Sequence, residues 1–266
     1  MAAMSHLDPA AESLLAFWRD AGVADAFEAT PQNRLTESER SARARASAPG
    51  APPSPSPLAP DLAQAVAAAR EAALAAGSLE ALGEAVAAFT GSALRGGGRS
   101  VFIRGASEPK VVVIGEAPGP DDDGRGVPFA GPSGRLLDKA LAGAGLAERS
   151  LITNTVFWRP PGDRGPSREE QAVCAPFLDR LISLARPTVI LLLGAASTKS
   201  VLKEDGGILG LRGRWFEHVS DDGALKTPAL PTLHPAFLLR QPQAKRMFWN
   251  DLLSLVAELE RLDPRL

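Results

Sequence analysis

The chain has 266 residues, 45% of them apolar and 23% charged, with a formal net charge of −2, the make-up of a soluble globular protein with room for one full domain and an appendage. No apolar run approaches the roughly 18 residues a membrane span needs, no basic start followed by an apolar run marks a secretory signal, and the near-neutral balance argues against wholesale electrostatic binding of nucleic acid while leaving room for a local basic face. Cys174 is the only cysteine and His6, His218 and His234 are the only histidines, which excludes an internal disulfide and any metal or iron–sulfur site built from several cysteines, disfavours a His-rich site, and makes the cytoplasm the expected compartment.

In chain order, residues 1–40 read as an amino-terminal helical extension in which Leu14, Leu15, Phe17 and Trp18 share one face. Residues 41–61 are rich in Pro, Ala and Ser and nearly free of large apolar groups. They cannot bury enough surface to offset their ordering entropy and read as a flexible linker. The remaining domain, 62–266, opens with Ala-rich helices over 62–88, broken at Gly77-Ser78, and a flexible loop over 91–100. Short branched runs at 111–114, 151–154, 189–193 and 229–233 read as strands, with helical patterns at 134–144, 168–184, 195–202 and 247–259 between and after them. This alternation predicts a three-layer α/β/α fold around a central, mostly parallel four-stranded sheet. Residues 212–219 are a candidate extra edge strand. The acidic excess lies in residues 1–100, so a polyanion is expected to meet the second region.

Open parallel sheets bind ligands beyond the carboxyl ends of their strands. The first strand is followed there by Gly115-Glu116-Ala117-Pro118-Gly119, the second ends in Thr153-Asn154, the third at Gly194 and the fourth at His234-Pro235. A carboxylate, a carboxamide and an imidazole on one rim can hydrogen-bond and polarise a planar heterocycle. Each has a plainer reading: Glu116 as a turn cap, Asn154 as a turn former, His234 as a structural histidine. GEAPG fits neither the Walker nor the GxGxxG pattern. Phe129 either joins the core or, in a loop returning over GEAPG, stacks on a flat ligand. Ser133 and Gly134 open a helix whose free N–H groups either take a phosphate or are simply capped. Asp121–Asp123 read as a solvated run, and His218 as a residue of a surface strand.

The basic signals are Arg159, Arg164 and the stretch from His234 to Pro242. Leu238 and Leu239 beside Arg240 either pack inward at the start of the last helix or form an apolar wedge for a DNA base stack.

Taken together, GEAPG, GVPFAGPSGRLLDKAL, ITNTVFWRPP, PTVILLLG and HPAFLLRQPQAKRMFWNDL closely resemble the family-four uracil-DNA glycosylases of bacteria and archaea, in matching order and spacing over about residues 88–260. The resemblance implies hydrolysis of the N-glycosidic bond of uracil in DNA, single- or double-stranded, leaving an abasic site for base excision repair. It implies that Gly115, Glu116 and Ala117 border the uracil pocket, Phe129 stacks on the flipped base, Asn154 reads the uracil edge and His234 donates to O2. Glu116, Asn154 and His234 are then the expected catalytic set, and Ser133, Gly134, Arg159, Leu238, Leu239 and Arg240 the expected DNA contacts.

The departure from the family is the metal. Typical members hold a four-iron four-sulfur cluster on four cysteines, whereas here Cys174 matches only the last, Phe89 and Ser92 stand at the Cys-x-x-Cys pair, and Trp158 stands at the remaining position. The resemblance therefore points to a branch without the cluster, working with no metal or cofactor, in which Phe89 and Trp158 fill the volume. GEAPG in place of GEQPG, and no histidine in 159–166, also distinguish the chain from relatives that trap uracil covalently. The expected protein is a monomer without membrane contact, its amino-terminal helix free to dock a protein partner. Two rival functions are a nucleoside or nucleotide N-glycosidase and a non-catalytic uracil-DNA-binding protein.

Overall fold

The computed structural model describes residues 60–263. The expected extension 1–40 lies outside them, as does all but the end of the expected linker 41–61. Helix α1 (Pro60–Ala75) starts inside that linker, because proline is tolerated in a first turn whose N–H groups have no intrahelical partner. Helix α2 (Leu79–Ala88) starts where the Ser78 side chain accepts from the Ala81 N–H at 3.2 Å, the physical reason for the break at Gly77-Ser78. Residues Ala93–Gly97 of the expected loop wind into a 3-10 turn.

Six strands form the sheet: β1 (Arg104–Gly105), β2 (Val111–Gly115), β3 (Ser150–Asn154), β4 (Val189–Leu193), β5 (Phe216–Val219) and β6 (Lys226–Thr232), in the order β1-β3-β2-β4-β6-β5. The four expected strands are its parallel centre. The sheet is two strands wider than expected, because antiparallel β1 and β5 close its edges. Strand β5 falls within the candidate 212–219. Strand β1 is too short for any periodicity to announce it.

The remaining helices are α3 (Pro120–Arg125), α4 (Pro132–Gly143), α5 (Arg168–Ala185), α6 (Ala195–Leu202), α7 (Ile208–Leu211), α8 (Pro235–Arg240) and α9 (Lys245–Leu262). Successive strand residues face opposite sides, which divides the core in two. Val112, Ile114, Leu151, Ile190 and Leu192 pack with α1, α2 and α5. Val111, Val113, Ile152, Leu191 and Leu230 pack with α4, α8 and α9. Both faces are covered, so the central strands are apolar throughout.

Between α2, α5 and the residues after β3 lies a plug of aromatic rings. Phe157, Phe177 and Trp158 are at most 1% exposed, and Phe89 meets Phe177 edge-on at 5.2 Å between centroids. Cys174 is buried among them. His218 is not a surface residue: its side chain faces α5, with Nε2 3.9 Å from Asp179 Oδ1, and burial lowers its pKa.

Candidate active site

The parallel register aligns the strand ends. Gly115 pairs with Asn154 across β2 and β3, and the Thr155 hydroxyl donates to the Glu116 carbonyl at 2.6 Å, which ties the two ends into one rim. Only glycine fits at 115, since a Cβ there would lie 2.4 Å from Asn154 Oδ1 and 2.6 Å from the Phe129 ring. Asn154 is 1% exposed, and neither Oδ1 nor Nδ2 has a hydrogen-bond partner among the described residues. A buried amide left unpaired costs about 1–3 kcal/mol per group, so such groups are few and need an explanation. A ligand edge that presents one acceptor and one donor supplies it.

Phe129 is 7% exposed and has a positive φ of 55°, a conformation that costs on the order of 1–3 kcal/mol unless its surroundings enforce it. They do. A Cβ on Gly134 would lie 1.6 Å from the Phe129 carbonyl oxygen, so α4 approaches this loop as only glycine allows. The Phe129 ring lies 5.6 Å from the His234 ring, tilted by 32°. The two rings border a cavity of about 250 Å³, lined also by Asp121, Ser133, Gly134 and Ala236, just below the usual ligand-pocket range of about 300–1,000 Å³. Glu116 and Asn154 sit beside this cavity rather than in its wall. A larger cavity of about 290 Å³ lies elsewhere, against α5, α6 and β5, and contains none of these residues.

His234 caps α8, its Nδ1 accepting from the Ala236 N–H at 3.1 Å. In a neutral imidazole this leaves the hydrogen on Nε2. Burial, and secondarily the charge of Arg240, pull its pKa down to about 4. The side chain is therefore a neutral Nε2–H donor at neutral pH.

The carboxylates separate. Asp122 is structural: its Oδ2 accepts from the Gly119 N–H at 3.1 Å and its Oδ1 from the Ala130 N–H at 2.6 Å, so one carboxylate closes the first turn of α3 and ties it to the loop before α4. Its burial corrects the reading of the run as a solvated loop. Asp123 Oδ1 accepts from the Arg99 N–H at 3.2 Å. Asp121 lines the cavity. Glu116 makes no side-chain hydrogen bond or ion pair among the described residues, and burial raises its pKa.

The expected DNA contacts divide as well. Leu238 is 1% exposed and belongs to the core beside α4 and α9. This corrects its expected place in a wedge, because it cannot leave that core cheaply. Leu239 is 44% exposed, and Arg240 beside it is exposed too. Arg159 donates to Asp163 Oδ1 at 2.7 and 3.0 Å, on the loop before α5. Ser133 and buried Gly134 line the cavity wall. A residue that sequence reasoning missed is Arg104, whose partners lie 24 to 34 residues away. No local pattern points to it.

The iron–sulfur cluster of typical family members does not fit these residues. One thiol is available, in Cys174; its burial pushes the pKa up to about 12, and rings occupy the space around it. Among the described residues no group of three His, Cys, Asp or Glu could hold a metal ion.

Residues 102–253 match the model of the uracil DNA glycosylase superfamily. The chain is 35% identical over 166 residues to a type-4 uracil-DNA glycosylase of Pyrobaculum aerophilum, covering 58% of this chain and 81% of the relative. A type-4 uracil-DNA glycosylase of Thermotoga maritima is 37% identical over 144 residues, covering 53% and 71%. That of Archaeoglobus fulgidus is 34% identical over 152 residues, covering 55% and 75%.

Proposed function

The chain belongs to the uracil DNA glycosylase superfamily, and we infer that it acts as a uracil-DNA glycosylase in DNA repair, hydrolysing the N-glycosidic bond of uracil in DNA as the type-4 relatives' name describes. The observation that carries the site is the unpartnered, buried Asn154 carboxamide beside Phe129 and His234. Uracil presents an N3–H donor and an O4 acceptor that pair with Oδ1 and Nδ2, whereas cytosine presents the reverse pattern. Because the carboxamide is covered in the free protein, entry of the base requires its neighbouring side chains to yield.

The chemistry then needs no metal. The target nucleotide leaves the stack at a cost of a few kcal/mol, least opposite a mismatch. Leu239, with Arg240, holds the gap in a duplex. The base lies on Phe129, and cleavage develops negative charge on uracil O2 and positive charge on the sugar. Neutral His234 donates Nε2–H to O2, an interaction worth about 3–4 kcal/mol when the donor is placed beforehand. An imidazolium would require charging a group that burial keeps neutral. Glu116, whose carboxylate makes no hydrogen bond or ion pair among the described residues and whose pKa burial raises, or Asp121 on the cavity wall, stabilises the sugar cation and orients water. Asp122 and Asp123 are committed to backbone N–H groups. Ser133, Gly134 and Arg159 are the phosphate contacts of this reading.

The finer reading is a monomeric bacterial enzyme of the cytoplasm that has no iron–sulfur cluster, with Cys174, Phe89 and Trp158 filling that volume. In this reading residues 1–40 dock a protein partner and are tethered through residues 41–59. No helix among the described residues is long and apolar enough to cross a membrane.

The decisive experiment uses purified, chelator-treated protein on oligonucleotides with one uracil, single-stranded and opposite guanine, followed by alkaline scission. Cleavage at the uracil is expected; uncut substrates, or cleavage only of free deoxyuridine, overturn the assignment. Elemental analysis of the same sample is expected to find no iron, and about four irons per chain, the content of the family's cluster, would overturn the cluster-free reading.

A further inference from the structure

Phe129 stacks on the base in the proposed function, and the role assigned to Arg104 rests on that stacking. The Phe129 backbone sits at a φ that few residues other than glycine adopt, so something outside the loop must hold the ring at its angle. Asp122 holds one side, through the Ala130 N–H. The other side is held by Arg104 of β1. Its Nε donates to the Pro128 carbonyl at 2.7 Å, and its Nη2 donates to the Phe129 carbonyl at 3.4 Å and to Asp138 Oδ1 of α4 at 2.7 Å. One planar fork thus binds two successive carbonyls of the stacking loop and anchors them to a helix, which the point charge of a lysine could not do. Strand β1 pairs only Arg104 and Gly105 with Ile152 and Leu151 of β3. That pairing brings the guanidinium to the loop, and three-quarters of the side chain is covered there.

We propose that Arg104 is a positioning residue for the base-stacking ring: by fixing the Pro128 and Phe129 carbonyls it sets how Phe129 meets the base, without touching the substrate. The charge on the guanidinium is already matched by Asp138, and its Nε and Nη2 N–H groups are taken by the two loop carbonyls and Asp138, so a direct grip on a DNA phosphate, left to Nη1 alone, is the weaker alternative.

The test is a double-mutant cycle on the full chain, reading kcat and KM on single-stranded and duplex uracil substrates for R104A, F129A, R104A/F129A and D138N. R104A is expected to lower kcat on the order of tenfold, the scale of one charge-assisted hydrogen bond, with KM little changed and on both substrates alike. In the F129A background the same substitution should change kcat by less than about twofold, because a residue acting through the ring has nothing left to position. D138N, which removes the charge of the pair but keeps an Oδ1 acceptor for the anchor and both carbonyl contacts, should stay near wild type and separates positioning from the ion pair's charge. Equal losses from R104A in both backgrounds, a rise confined to KM that steepens at higher salt, or a D138N loss as large as that of R104A would each overturn the proposal. Full activity of F129A alone would instead overturn the stacking reading and leave the carbonyl contacts without a function.

Discussion

Replacing His234 by asparagine separates two duties of one side chain. Through Nδ1 the imidazole caps α8 by accepting the Ala236 N–H, and through Nε2–H it is the donor to uracil O2. Asparagine is a good helix cap, so His234→Asn keeps the first duty and loses the reach for the second. Loss of a preplaced donor of this kind amounts to about 3–4 kcal/mol, or a fall of roughly 10²–10³-fold in the chemical step. His234→Ala should fall as far and also lose about 0.5–2 kcal/mol of stability with the cap. The pH dependence comes from the pKa of about 4, against roughly 6.5 for an unfolded histidine. Since the folded value is depressed, the unfolded chain takes up this proton first. Wild-type stability therefore declines as pH falls from about 6.5 toward 4, and that part of the decline is absent in His234→Asn. For the same reason kcat/KM should show no acid limb near 6.5 from this group. Single-turnover excision on an end-labelled duplex with one uracil, together with thermal melting from pH 4 to 8, measures both. A His234→Asn rate within about threefold of wild type would refute the donor assignment.

Asn154→Ala is expected to slow single-turnover excision roughly tenfold to a hundredfold with melting unchanged or raised, since two unpaired buried polar atoms leave with the side chain; a melting point that falls in step with activity would make the carboxamide structural. Leu238→Ala should cost about 2–5 kcal/mol in urea unfolding, whereas exposed Leu239→Ala should stay within about 0.5 kcal/mol and slow excision from duplex more than from single strand. Equal slowing on both substrates would remove the wedge. A fragment starting at Leu58, where the second compact unit of the chain begins, holds every proposed site residue and should excise uracil at close to the full-length rate; a folded but inactive fragment would place part of the active site in residues 1–57.

The parallel centre of the sheet was legible because strands buried on both faces must be apolar throughout, so runs such as Val111–Ile114 and Val189–Leu193 announce themselves within five residues. The rim came from the same reading: ligands gather at the carboxyl ends of parallel strands, and Glu116, Asn154 and His234 are what the chain places there. That one thiol cannot hold a four-iron cluster is a matter of counting cysteines and needs no coordinates. Other features depend on which way a side chain turns and on contacts between distant segments, about which local periodicity is silent. Helix α8 has only six residues, too few for a hydrophobic period to say whether Leu238 or Leu239 faces the core, and packing against α4 and α9 decides it. The three aspartates after Gly119 are alike in sequence and are told apart only by the loop that returns to present the Ala130 N–H to Asp122. Arg104 acquires its place because a two-residue strand pairs with β3, setting its guanidinium against carbonyls 24 and 25 residues further along the chain. Closing a chain segment of that length is a property of the whole fold.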